Sequence, residues 1–322
     1  MRTVAYVGEH TLETSEAEPA PPGAGQVRIR VAYVGLCGTD LHIVHGNMDA
    51  RVDMPLVFGH EMSGTIESVG EGVDAFKPGD RVAYADMPPG AYAEARVMPW
   101  HRLVKLPDAI DDQTAAAMML QGMTVEYLIR RTFKVSKGDT VLFHAAAGGV
   151  GLIACQWLNQ IGATVIGTVG SEEKAELAKA HGCHHTINYR SENFVERVTE
   201  ITDGKGVPVV YDSVGKDTFD GSLDCLQPRG MMVLFGAASG PVPPLDPNVL
   251  NKKGCLYLTR PSLMVYNKER AELEACATAL FDMVTSGKVK IEVNQTYPLS
   301  ETAQAHRDLE ARKTTGSTVL LP

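Results

Sequence analysis

Phe143-His-Ala-Ala-Ala-Gly-Gly-Val-Gly151 is the stretch that decides the fold. It follows Thr140-Val-Leu-Phe143, a short apolar run with the character of a buried strand. It opens an apolar stretch, Gly149 to Leu158, of helical length. Ala145, Gly148 and Gly151 give A-x-x-G-x-x-G. Small residues at that spacing let a backbone turn approach a pyrophosphate, whose charge rests on the free N–H groups at the helix start. The same residues also fit an ordinary tight strand-to-helix turn, so the neighbouring sequence carries the decision.

Toward the C-terminus the pattern alternates. Apolar strand-like runs at 164–168, 186–188, 208–211 and 231–235 are separated by helical patterns at 172–181, 194–201 and 218–226. Strict alternation implies a parallel sheet with helices on both faces, which is a doubly wound Rossmann domain. Amphipathic helices at 269–286 and 301–312 and a strand at 317–321 follow. Toward the N-terminus the first hundred residues read instead as strands and turns. Residues 26–33, 62–69 and 81–85 are β-like, and Pro21-Pro22-Gly23, Lys77-Pro-Gly-Asp80 and Pro88-Pro-Gly90 punctuate them. A helical pattern at 111–131, interrupted at Gly122, joins the two regions.

Composition agrees with a folded two-domain chain of 322 residues, 44% hydrophobic and 21% charged. Thirty basic against 39 acidic residues leave a net charge of −9, which gives no general attraction to nucleic acid. No run of signal-peptide or membrane-spanning length is present, so a cytoplasmic, membrane-free location is expected. Six cysteines without a C-x-x-C pair exclude a four-thiolate zinc site, and only Cys37 has chemistry around it.

The strand after the glycine turn bears on the cofactor. NAD sites place an acidic residue about 20 residues past the glycines to bind the ribose 2′-OH. Here Thr168 and Val169 stand in that place, followed by Ser171 and Lys174, a donor and a cation suited to a 2′-phosphate. NADPH is therefore the expected cofactor. Ser171 also fits a plain helix N-cap, with Lys174 on a solvated face.

These motifs carry a resemblance. Over its whole length the chain resembles the medium-chain dehydrogenase/reductase superfamily, and from about residue 112 it is very similar to bacterial NADPH:quinone oxidoreductases. Leu120-Gln-Gly-Met-Thr124, the glycine turn, Ile187-Asn-Tyr-Arg190, Val210-Tyr-Asp-Ser-Val-Gly215, Thr259-Arg-Pro-Ser-Leu263 and Gly316-Ser317 carry it. The resemblance implies a Rossmann domain at 122–260, with 1–121 and 261–322 joined as a β-rich GroES-like catalytic domain. It also implies an active cleft between the two domains. It further implies that Thr124, Gly148, Gly149, Val150, Ser171, Lys174, Tyr189, Ser213, Phe235 and Arg312 line an NADPH site.

The N-terminal region departs from that branch. Gly35-Leu-Cys-Gly-Thr-Asp-Leu-His42 and Gly59-His-Glu61 resemble zinc alcohol dehydrogenases of the same superfamily. That implies Cys37 and His60 as metal ligands, Glu61 as a neighbouring carboxylate, and Thr39 with His42 as a proton relay. The third ligand of that branch falls at about Gln121, and an amide is a poor zinc donor. Glu61 is adjacent to His60, and adjacent strand residues point apart.

The expected function is zinc-independent hydride transfer from NADPH to a quinone or enone, with Thr39 or His42 supplying the proton. Zinc-assisted interconversion of alcohol and ketone is the first alternative, and nucleotide binding without catalysis is the second. A homodimer is expected through the apolar edge strand in 254–259.

Overall fold

The computed structural model describes residues 1–8, 11–16, 18, 20–44 and 55–322, without the side chains of residues 42–44. The chain forms two compact units. One comprises Met1–Met123, Tyr266–Thr285 and Ile291–Pro322, and the other Thr124–Val265 and Ser286–Lys290.

The second unit is built on six parallel strands. Their order across the sheet is His185–Asn188, Thr164–Val169, Thr140–Phe143, Val207–Asp212, Leu226–Leu234 and Tyr257–Thr259. The order in which successive strands are added reverses between Thr140–Phe143 and Val207–Asp212, the switch point at which such sheets bind ligands. The inner strands are apolar because both their faces are covered, and Leu142, Ile166, Val210 and Met232 are fully buried. Two helices of this unit begin on side-chain caps; at one of them Asn193 Oδ1 accepts the Val195 N–H at 3.0 Å, starting Phe194–Ile201. The helix Gly149–Ile161 ends on left-handed Gly162, φ 86°.

Two elements differ from the sequence expectation. The fifth strand starts earlier than the expected 231, taking in Pro228-Arg-Gly230, and runs Leu226–Leu234. It absorbs the extra residues as an irregularity between the pairs Val207–Leu226 and Val209–Met231. That pairing claims Leu226, so the preceding helix is only Phe219–Asp224.

In the first unit, Gln26–Leu36 is the central strand. It pairs antiparallel with Glu61–Val69, Ala95–Pro99 and Ser317–Leu321. The C-terminal strand thus closes the sheet begun by the N-terminal segment. Val27, Ile29, Val34, Met62, Tyr84 and Leu320 form part of its core. The helix Thr302–Glu310 packs on the same core through Ala305 and Leu309. The helix Asp112–Tyr127 runs uninterrupted through Gly122, contrary to the expected break. A Cβ at Gly122 would lie 2.7 Å from Leu280 Cδ2, so the glycine admits a neighbouring side chain and does not end the helix.

Candidate active site

The glycine turn occupies the C-terminal end of Thr140–Phe143, beside the switch point. Ala145 takes a left-handed conformation, φ 57°, and its carbonyl accepts the Gly148 N–H at 3.0 Å. Gly148 is the N-cap of Gly149–Ile161 and provides no side-chain cap. The first N–H groups of that helix therefore lack a side-chain acceptor, and the helix dipole adds its positive end. A Cβ at Gly151 would lie 2.6 Å from both Ala146 C and Ala146 O, so only glycine lets the helix pack this closely against the turn.

The other expected cofactor residues of this unit follow the C-terminal ends of neighbouring parallel strands. Ser171 and Lys174 follow Thr164–Val169, Tyr189 follows His185–Asn188, Ser213 follows Val207–Asp212, and Phe235 follows Leu226–Leu234. Parallel strands put all those ends on one edge of the sheet, with Gly148, Gly149 and Val150. Phe235 lies 5.7 Å from the ring of Phe143, and Tyr189 is 42% exposed. Thr124 is buried within Asp112–Tyr127. Arg312 is exposed just past Thr302–Glu310, in the first unit.

Two readings of the second strand need adjustment. Thr168 is buried, and its Oγ1 lies 3.0 Å from His144 Nδ1 and accepts the Ala145 N–H at 3.3 Å. Its hydroxyl is thus committed to the base of the glycine turn. The residue at the exposed strand end is Gly170, where a Cβ would lie 2.6 Å from the Tyr189 hydroxyl. Ser171 is indeed the N-cap of Glu172–Ala180, its Oγ accepting the Lys174 N–H at 3.3 Å.

The first unit holds a second buried polar cluster. Asp40, fully buried, accepts at Oδ2 from the Cys37 N–H at 3.1 Å and the Cys37 thiol at 3.4 Å. Its Oδ1 lies 3.0 Å from His60 Nδ1. Burial would raise the Asp40 pKa, but the hydrogen bond and charge of His60 outweigh it and hold the carboxyl below its usual range. Burial, reinforced by the Asp40 charge, pushes the Cys37 thiol well up and keeps it protonated. Thr39 is half-buried at the start of the helix Gly38–Val44. His42 lies in that helix, but its side chain is outside the described residues. Asp40 was in plain view in the quoted motif. Its i+3 spacing from Cys37 at a helix start looks like simple capping, and only the fold brings His60 to it.

Glu61 faces the other way. Its Oε1 accepts the Leu120 N–H at 2.8 Å, and a Cβ at Gly35 would lie 2.7 Å from its Cδ. The Ser317 hydroxyl lies 3.0 Å from Gln121 Oε1 and 2.9 Å from Ala117 O, which occupies the Gln121 amide elsewhere. Cys37, Asp40 and His60 each bring one donor atom within 4.8 Å of the others. Both Asp40 oxygens are already engaged, and His60 Nε2 has no hydrogen-bond partner among the described residues. Only one imidazole nitrogen of the cluster is then unengaged, and Cys37 with His60 would supply two ligands where a catalytic zinc needs three.

Comparison with known proteins agrees with both halves. Residues 23–108 match the alcohol dehydrogenase GroES-like domain, and residues 149–276 match the zinc-binding dehydrogenase family. The chain is 51% identical to a quinone oxidoreductase of Pseudomonas aeruginosa, over 99% of this chain and 98% of that protein. It is 47% identical to a 2-haloacrylate reductase of Burkholderia, over 98% and 96%. The crystal structure of Escherichia coli quinone oxidoreductase complexed with NADPH superposes with a TM-score of 0.98 at 44% identity, covering 100% of both chains. Glycine turn, parallel sheet, GroES-like strands and relatives together make the chain a member of the medium-chain dehydrogenase/reductase superfamily, on its quinone oxidoreductase branch.

Proposed function

We propose that this protein is an NADPH-dependent reductase that passes hydride to a quinone or another electron-poor conjugated acceptor, without zinc. The observation that carries the reading is the uncapped glycine turn at the switch point, with glycine instead of a carboxylate at the end of the adjoining strand. The relatives named for quinones and for a 2-haloacrylate support the acceptor class, because both are alkenes conjugated to an electron-withdrawing group.

NADPH, when bound, supplies the hydride. The chain's own residues do the rest. The helix-start N–H groups at Gly149 and Val150 hold the pyrophosphate, Ser171 and Lys174 face the 2′-phosphate, and Tyr189 stacks beside them. Thr124, Ser213, Phe235 and Arg312 complete the cofactor contacts. Thr39 and His42 are our candidates for returning a proton to the reduced acceptor, since histidine titrates near neutral pH.

The donor set argues against catalytic zinc, since Cys37 and His60 are two where three are needed, and Glu61 and Gln121 are engaged elsewhere. The clustering of Cys37, Asp40 and His60 favours the one rival reading, a metal-assisted carbonyl reductase. We further propose a homodimer. The cytoplasm is the proposed location; among the described residues no helix is long and apolar enough to cross a membrane.

The test is NADPH oxidation against a panel of quinones, enones, haloacrylates and ketones, run with and without chelator and joined to metal analysis. We expect quinone or enone reduction that survives chelation, and little bound zinc. One zinc per chain with activity lost on chelation overturns the proposal in favour of the rival.

A further inference from the structure

Beneath the glycine turn runs a continuous chain of buried hydrogen bonds that the binding of a dinucleotide does not by itself require. Its anchor is Asp212, fully buried at the end of Val207–Asp212. Asp212 Oδ1 accepts the N–H groups of Val214 at 2.7 Å and Gly215 at 3.0 Å, shaping the loop that carries Ser213. Asp212 Oδ2 accepts the hydroxyls of Thr218 at 2.7 Å and Ser222 at 2.9 Å. Ser222 has then used its only proton, so its Oγ must accept from His144 Nε2, 3.0 Å away.

A neutral imidazole has a single N–H, so Nδ1 is left as an acceptor, and the Thr168 hydroxyl donates to it across 3.0 Å. Thr168 Oγ1 accepts the Ala145 N–H in turn at 3.3 Å. Burial favours the neutral ring, against the pull of the Asp212 charge. Phe194 closes the site edge-on, 5.1 Å from the imidazole. Each polar atom of the chain is satisfied, and all its protons point one way, from Ala145 toward Asp212.

We propose that His144 is a positioning residue for the dinucleotide, tying the left-handed turn at Ala145 to the Ser213–Gly215 loop so that both hold the conformation NADPH requires. An apolar side chain would fill the space but bond neither end, and imidazole is the neutral side chain that accepts on one nitrogen and donates on the other. The inference rests on the proposal that NADPH binds at this turn.

Titration of NADPH into the wild type and into His144→Leu, His144→Gln, Ser222→Ala and Thr168→Val, each checked by thermal melting, tests it. His144→Leu is expected to raise Kd and KM for NADPH about tenfold while kcat changes by less than about twofold. His144→Gln, which keeps a donor toward Ser222, is expected to recover much of the loss. Adding Ser222→Ala to His144→Leu should cost little more, because both cut the same chain. Wild-type Kd in a folded His144→Leu protein overturns the inference. If that variant does not fold, Ser222→Ala and Thr168→Val decide, since each removes one hydroxyl with its two bonds in the chain and leaves the imidazole; unchanged Kd in both overturns it. A wild type that fails to bind NADPH overturns the proposed function and this inference with it, whereas equal binding by wild type and variants overturns the inference alone.

Discussion

Glu61 shows how far one buried residue departs from its solution behaviour. Burial raises its pKa to about 8, with Oε1 held by the Leu120 N–H and Oε2 unpartnered among the described residues. The folded-state value lies above the unfolded one, so the folded protein binds the extra proton. Stability from Glu61 is therefore full below its unfolded value of 4.5 and is lost as pH rises through about 8. We expect the wild type to lose melting temperature between pH 5 and pH 9 relative to Glu61→Gln, which keeps the shape without the charge. Parallel melting curves across that range would remove the argument. A second residue-scale test concerns the cofactor: Gly170→Asp places a carboxylate where a 2′-phosphate is expected and forces Tyr189 aside. NADPH affinity should fall by at least about tenfold in Gly170→Asp and more modestly in Lys174→Ala, while NADH binding changes little. Binding titration with both nucleotides checks this, and equal NADPH and NADH affinities in the wild type would sink it.

At the scale of elements, two glycines inside helices do different work. Gly151 sits where a Cβ would meet the backbone of Ala146, and neither the turn nor the helix can yield without moving the site. Gly151→Ala is expected to destabilise by about 3 kcal/mol. Gly122 faces the tip of the Leu280 side chain, which can rotate away, and alanine also favours the helix. Gly122→Ala should cost no more than about 1 kcal/mol. Denaturant unfolding of the two variants gives the ratio, and equal losses would show that the backbone around the turn is softer than its packing implies. Both glycines were legible as letters in the sequence. Their difference was not, because it depends on whether the facing atom belongs to a backbone or to a flexible side chain.

For the whole molecule, the edge strand Tyr257–Thr259 is the feature that calls for a partner. Tyr257 is 59% exposed, and Leu258, Met264 and Val265 add exposed apolar surface nearby. An unpaired apolar edge is an association site unless covered, and a two-fold axis lets it pair with its own copy. We expect a dimer by analytical ultracentrifugation at micromolar concentration, and monomer from Leu258→Lys combined with Val265→Lys. A monomeric wild type ends the idea.

The sequence by itself determined the doubly wound domain, because strand and helix periods and the small-residue turn are local properties of the chain. It also determined which residues follow the ends of the parallel strands, since that placement comes from the order of elements alone. The branch of the superfamily was legible too, in motifs that survive without coordinates. Tertiary structure alone decided what the polar residues do with one another. Asp40 meets His60 across 20 positions, His144 meets Ser222 across 78, and Gln121 meets Ser317 across 196. Glu61 turns from its neighbour His60 to the backbone of a helix far along the chain. Hydrogen bonds are short-ranged and directional, so their partners are set by where the fold brings the chain together. No spacing read along the sequence encodes that meeting.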